Sequence, residues 1–160
     1  MGYLPPDTII SNLAQMVLDP EAHLFAIVCS GMHMAWVRVT SGRMKSDYRY
    51  SVYCSYNTFP FPSLSAEKKE DLAQHVFSVL DTREQFPELS MAELYDPEKM
   101  PTALRDAHHE MDLAVERCYR KKPFTNDEER LEYLFKLYEK MIEAEKQAAA
   151  KPKRKARKGK

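Results

Sequence analysis

Apolar and polar positions follow three different rhythms along this chain, and each predicts a different kind of element. From Lys45 to Asn57 the period is two. Lys45, Asp47, Arg49, Ser51 and Ser55 fall on one side, and Tyr48, Tyr50, Val52, Cys54 and Tyr56 on the other. This pattern predicts a strand with its aromatic and β-branched face on a core and its charges on the opposite face, about 7 Å apart. Pro60 and Pro62 end it, because neither can donate to a sheet ladder. From Glu21 to about Thr40 the apolar residues Leu24, Phe25, Ile27, Val28, Met32, Met34, Ala35, Trp36 and Val37 cover most of a helical circumference, predicting one helix buried on several sides. Gly31 in its middle, costing about 1 kcal/mol relative to alanine, reads as a close-packing site. His33 reads as a packed, hydrogen-bonded histidine, and Ser41-Gly42 stops the helix. Ahead of it, Leu4-Pro5-Pro6-Asp7 is non-helical. Thr8–Leu18 is predicted as a strand on its Ile9-Ile10 pair and short length, and Asp19-Pro20 as a turn.

Beyond Pro62 the rhythm becomes that of one-sided helices. Ser65 to about Arg83 carries Leu72, Val76, Val79 and Leu80 on one face. Ser90-Met91-Ala92-Glu93 is a capping box that opens one or two turns, closed by Asp96-Pro97. Pro101 starts a helix with the stripe Leu104, Ala107, Met111, Val115 and Cys118. Thr125-Asn126-Asp127-Glu128 is a second capping box, before a helix that buries Leu131, Leu134, Phe135, Tyr138 and Met141 and runs to about Ala148. Three longer helices and a short one predict a small bundle.

Composition narrows the chemistry. The 160 residues suffice for one domain with a real core or a small domain plus a helical appendage, and an apolar share of 44% is that of a globular protein. Net charge is zero, but the last ten residues, KPKRKARKGK, hold seven Lys or Arg and no acid; the rest has 17 basic against 24 acidic residues, a net of −7. The tail reads as a disordered arm that can attract phosphate loosely but cannot specify a sequence. Cys29, Cys54 and Cys118 are odd in number and far apart, which supports neither a disulfide framework nor a zinc cage and fits a cytoplasmic protein. The apolar run 22–37 is shorter than the ~20 residues a bilayer needs and is broken by histidine, so it predicts burial rather than a membrane span. Four widely spaced glycines exclude a glycine-rich nucleotide loop. His108 and Asp112, four apart, could face one metal ion, yet a local ion pair on a helix surface is the stronger reading. No nucleophile–base pair stands out, so no catalytic or metal residue is assigned.

The run MHMAWVRVTSGRMKSDYRYS, followed by YNTFPFP, resembles the end of the target-recognition region of the MmeI-like DNA methyltransferases. LYDPEKMPTALRDAHHEMDLAVERCYR and the ERLEYLFKLYEKM helix resemble that family's C-terminal helical segment. The resemblance spans about Asp7 to Ile142 and implies a C-terminal piece of a large bacterial restriction–modification enzyme. The family's S-adenosylmethionine pocket and adenine-flipping motif lie upstream of this stretch; Asn57-Thr58-Phe59-Pro60 lacks the Asn-Pro-Pro-aromatic order of that motif. The resemblance also implies that the pair matching Lys45 and Asp47 helps choose a base pair, some members carrying Glu and Arg there. The chemistry agrees, since Lys can donate to guanine O6 and N7 and Asp can accept from cytosine N4.

Together these readings predict an α+β, predominantly α chain. A partial recognition subdomain at 1–62, with one or two strands around a buried helix, leads into a helical bundle at 63–148 and a basic tail at 149–160. Its expected role is sequence recognition and scaffolding for an N6-adenine methyltransferase, without catalysis of its own. Lys45 and Asp47 are expected to read bases, and Arg43, Arg49, Ser51 and Arg38 to contact the DNA backbone. The expected partners are double-stranded DNA and the upstream methyltransferase domain; no cofactor is assigned to this chain and S-adenosylmethionine belongs to that upstream domain. The rival reading is a protein-interaction module whose acidic bundle docks on the catalytic domain without touching DNA.

Overall fold

The computed structural model describes residues 2–5, 7–11, 14–44 and 47–150. Its elements run α1 (Ala22–Cys29), α2 (Gly31–Thr40), β1 (Gly42–Met44), β2 (Asp47–Arg49), a π-helical turn (Val52–Tyr56), α3 (Ala66–Glu84), α4 (Met91–Leu94), α5 (Thr102–Tyr119) and α6 (Asp127–Ala150). The chain is therefore predominantly α with one two-stranded sheet, as the periodicity predicts. Lys45 and the tail 151–160 lie outside the described residues, while the last helix extends through Ala150, past the predicted start of the tail.

The bundle follows its stripe. α5 packs chiefly on α3, α3 also packs on α1, and α2 packs on α6. Ser65 caps α3 by accepting from the Lys68 N–H. Ser90 and Glu93 form the complete reciprocal capping box at α4. At α6 the cap sits one residue later than predicted: Asn126 accepts from the Glu129 N–H at 2.9 Å, and Glu129 reaches back to the Thr125 N–H at 2.8 Å. Asn is as good a cap as Thr or better, and the acid three residues after it is Glu129 rather than Glu128. Phe135, predicted buried, is exposed on one side and lays its ring against Trp36 at 5.0 Å between centroids.

Three predicted elements differ. The single helix 21–40 is two helices bent by 57° at Ser30. Ser30 is extended and caps α2: its hydroxyl donates to the Ile27 carbonyl at 2.7 Å and accepts from the His33 N–H. The Gly31 N–H, left over at the new helix start, bonds to Asp112 on α5 at 2.9 Å. A methyl group on Gly31 would meet that carboxylate at an ordinary 3.6 Å, so Gly31 marks a helix start rather than a tight packing site. The described residues 8–11 and 14–18 form no strand, and Ile9 is 98% exposed. The predicted strand 45–57 is a hairpin followed by the π-helical turn, so the alternation breaks at Ser51. As a result Ser55 is buried and Cys54 exposed, the reverse of the predicted faces.

One core joins the two halves. Phe25 and Ile27 of α1 and Trp36 of α2 share it with Phe59, with Leu72 and Val76 of α3, with Leu104 and Met111 of α5 and with Leu134 of α6. Among the described residues no single helix is long and apolar enough to cross a membrane; α1 and α2 pass that test only as a bent pair, and both contribute to this core.

Candidate nucleic-acid interface

All four Lys and Arg of residues 1–63 lie between Arg38 and Arg49. Two of them, Arg43 and Arg49, stand on the strands of one small hairpin. β1 and β2 pair antiparallel in the register Gly42 to Arg49, Arg43 to Tyr48 and Met44 to Asp47. Partners directly across a ladder share a face and successive residues alternate. Asp47 and Arg49 therefore share one face, and Arg43 and Tyr48 the other. One continuous strand would set Arg43 on the Asp47 side; the chain reversal moves it across. Both Asp47 and Arg49 are exposed. The Arg43 guanidinium lies over the Tyr48 ring at 4.8 Å and donates to its hydroxyl at 3.1 Å.

The hairpin is mounted on α2 by buried polar contacts. Ser51 ends β2's run and caps the π-helical turn by accepting from the Cys54 N–H. That turn places Ser55 between Thr40 and Ser41 at the end of α2, with hydroxyl contacts of 3.1 and 2.8 Å. Trp36, 1% exposed, donates its indole N–H to Thr58 at 3.1 Å. His33, also 1% exposed, meets the Tyr50 hydroxyl through Nε2 at 3.0 Å and the Phe59 ring edge-on at 4.6 Å. Burial holds His33 neutral, its pKa pulled down to about 4, and pushes Tyr50 up to about 12. The histidine thus serves as a packed support, as predicted.

Arg38 does not join this surface. Its guanidinium pairs with Asp127 at the start of α6, and Asp127 also pairs with Arg130 at 2.9 Å. Arg130 in turn bonds the buried Glu116 at 2.6 Å, whose other oxygen accepts from the Phe124 N–H. Tyr53 stands 82% exposed on the π-helical turn next to the hairpin. Its exposure follows from that turn, which has no signal in the sequence.

Between the hairpin and α2 lies an open, mostly apolar groove of about 1700 Å³, walled by Met16, Val17, Leu18, Met34, Val37, Tyr48, Tyr50 and Tyr53. A second cavity of about 290 Å³ is lined by Val28, Cys29, Met34, Arg83, Met91, Tyr95 and His108. Its polar groups are engaged with one another: Arg83 donates to the Tyr95 hydroxyl at 2.7 Å, which meets His108 at 2.7 Å. With no carboxylate to accept from ribose hydroxyls, it does not fit a nucleoside cofactor. Asp112 bonds Gly31 instead of pairing with His108, and no group of metal ligands occurs among the described residues.

The family description "MmeI, target recognition domain" matches residues 1–63, and "MmeI, C-terminal domain" matches residues 64–144. DNA methyltransferase A of Bacillus subtilis (strain 168) is 48% identical over 143 residues, which are 89% of this chain and 16% of that protein. A solved structure described as the type IIL restriction–modification enzyme MmeI in complex with DNA superposes with a TM-score of 0.75 at 36% identity, covering 78% of this chain and 17% of that one. The chain thus spans about a sixth of the length of each of these relatives, and it belongs to the MmeI family, matching its target recognition domain and its C-terminal domain.

Proposed function

We propose that this chain is the DNA-reading end of a longer, cytoplasmic N6-adenine methyltransferase of a restriction–modification system. One observation carries the reading. The segment that matches a target recognition domain presents Arg43 and Arg49 on an exposed two-stranded ribbon, Gly42–Met44 with Asp47–Arg49, anchored from below by buried hydroxyls and an indole. A two-stranded ribbon is one of the shapes that the major groove of DNA admits.

In this reading Lys45 donates to guanine O6 and N7, and Asp47 accepts from cytosine N4 of the same base pair. Exchanging donor for acceptor at these positions would exchange which strand holds the guanine. Arg49 and Arg43 hold phosphates, which fix the register without specifying sequence. Ser51 can still donate its hydroxyl proton while it caps the turn. Arg38 is the weakest of the contacts, since a phosphate would have to draw it from Asp127. Methyl transfer, with S-adenosylmethionine as donor, belongs to the catalytic portion of the longer enzyme, and no step of it is assigned to residues of this chain.

The test is binding of the full chain to a short duplex at low salt, with the tail cations intact or replaced by serine. Affinity that survives in the serine-tailed chain and falls on Arg49→Ala supports the proposal. Binding that vanishes with the tail cations favours docking without DNA contact instead. The charge of residues 64–150, thirteen basic against twenty acidic and so −7, is the observation on the side of docking, because it repels phosphate.

A further inference from the structure

Tyr48 has no role in the reading above, yet it takes both a hydrogen bond and a ring contact from the Arg43 side chain. The two residues face each other directly across the ladder. The ring offers its face to the guanidinium and its hydroxyl accepts one of the five guanidinium N–H groups. The other four guanidinium N–H groups are not used by that bond, and a phosphate can accept from them.

We propose that Tyr48 is a positioning residue that presets Arg43 as a phosphate contact on the ribbon face opposite Asp47. This rests on the DNA-reading proposal and assigns it a second face: Asp47 and Arg49 on one side, a prearranged cation on the other. An arginine at the end of a flexible side chain must give up its rotamer freedom when it binds. Stacked on a tyrosine fixed in a ladder, Arg43 has given up much of that freedom before DNA arrives. The competing explanation is that Tyr48 merely steadies the hairpin, as cross-strand pairs do.

A double-mutant cycle separates the two, measured on the serine-tailed full chain and a mixed-sequence duplex, since a phosphate contact needs no particular recognition site. Arg43→Ala should weaken binding about eight-fold near 0.1 M salt and reduce the slope of log affinity against log salt by about 0.9, the signature of one phosphate. Tyr48→Val should move both quantities in the same direction, and Tyr48→Phe, which keeps the ring and loses the hydroxyl, should fall between Tyr48→Val and the unmutated chain. In the Arg43→Ala background neither change at residue 48 should cost anything more. A Tyr48 variant that weakens binding by the same factor with or without Arg43 overturns the positioning role and leaves a structural one, as does a Tyr48→Val chain that binds like the unmutated one. The cross-strand nuclear Overhauser contact between Gly42 and Arg49 shows whether each variant keeps its hairpin; should Tyr48→Val lose it, the Tyr48→Phe arm decides. If Arg43→Ala itself leaves the salt slope unchanged, the phosphate role of Arg43 falls and the positioning role with it.

Discussion

The two regions of this chain hold their shape by different means. Residues 64–150 are built from helices whose starts, stripes and ends are written locally. Ser65 and Ser90 cap, Leu72, Val76 and Val79 recur at helical spacing, and a buried Glu116–Arg130 pair ties α5 to α6. Residues 2–63 use short elements that lean on the other half. Gly31 is satisfied by Asp112, Trp36 lies against Phe135 and Tyr138, and the Pro60 carbonyl accepts from Tyr119. The same region leaves Ile9, Met16, Leu18 and Tyr53 exposed. A scaffold that closes itself can carry a surface that does not, and the proposed reading surface is drawn from the less self-sufficient half.

Trp36 is where that contrast can be broken most severely. It sits on α2, inside the recognition segment, yet packs on α6. Trp36→Ala should cost about 3–5 kcal/mol, the range for truncating a buried aromatic, and lower one common unfolding transition followed by both helix content and tyrosine fluorescence. Two separate transitions, with the bundle's unmoved, would show that the halves are independent. Glu116→Ala probes the bundle's own closure. It strands the Phe124 N–H and leaves Arg130 with Asp127 alone, so a loss of about 1–3 kcal/mol is expected in urea titration.

The recognition half should carry its own pH dependence. His33 is held near a pKa of about 4 by burial, below its ordinary 6.5. Between those values the unfolded chain binds more protons than the folded one, so stability from this group is complete above about pH 6.5 and declines as pH falls towards 4. The slope is at most about 1.4 kcal/mol per pH unit for one histidine. His108 acts in the same direction from the bundle side, again through burial. His33→Gln should flatten part of the loss between pH 7 and 5 in urea titrations; an unchanged slope would place the pH dependence elsewhere. Smallest of all, Ile9→Ser should change stability by less than about 0.5 kcal/mol, because the side chain is already in water.

The helices of the bundle were legible because one-sided periodicity and caps are local signals, and their stripe became the core. The break at Ser30 was not, since the bond that compensates it comes from Asp112, eighty-one residues away. The hairpin was hidden for a related reason. Lys45-Ser46, between the paired Met44 and Asp47, lacks the Asn-Gly or Asp-Gly that signals a two-residue turn. Alternation alone cannot tell one strand of ten residues from two of three. The proposed contacts Arg43, Asp47 and Arg49 rest on charge and resemblance, but their distribution over two faces, and the part proposed for Tyr48, needed the register.

The most direct test of DNA reading by the ribbon is an exchange in a full-length family enzyme carrying this segment. Lys45→Glu with Asp47→Arg should give methylated sites in which one G·C pair of the recognition sequence is inverted and every other position is kept. Methylation at the original sequence, unchanged, would contradict it.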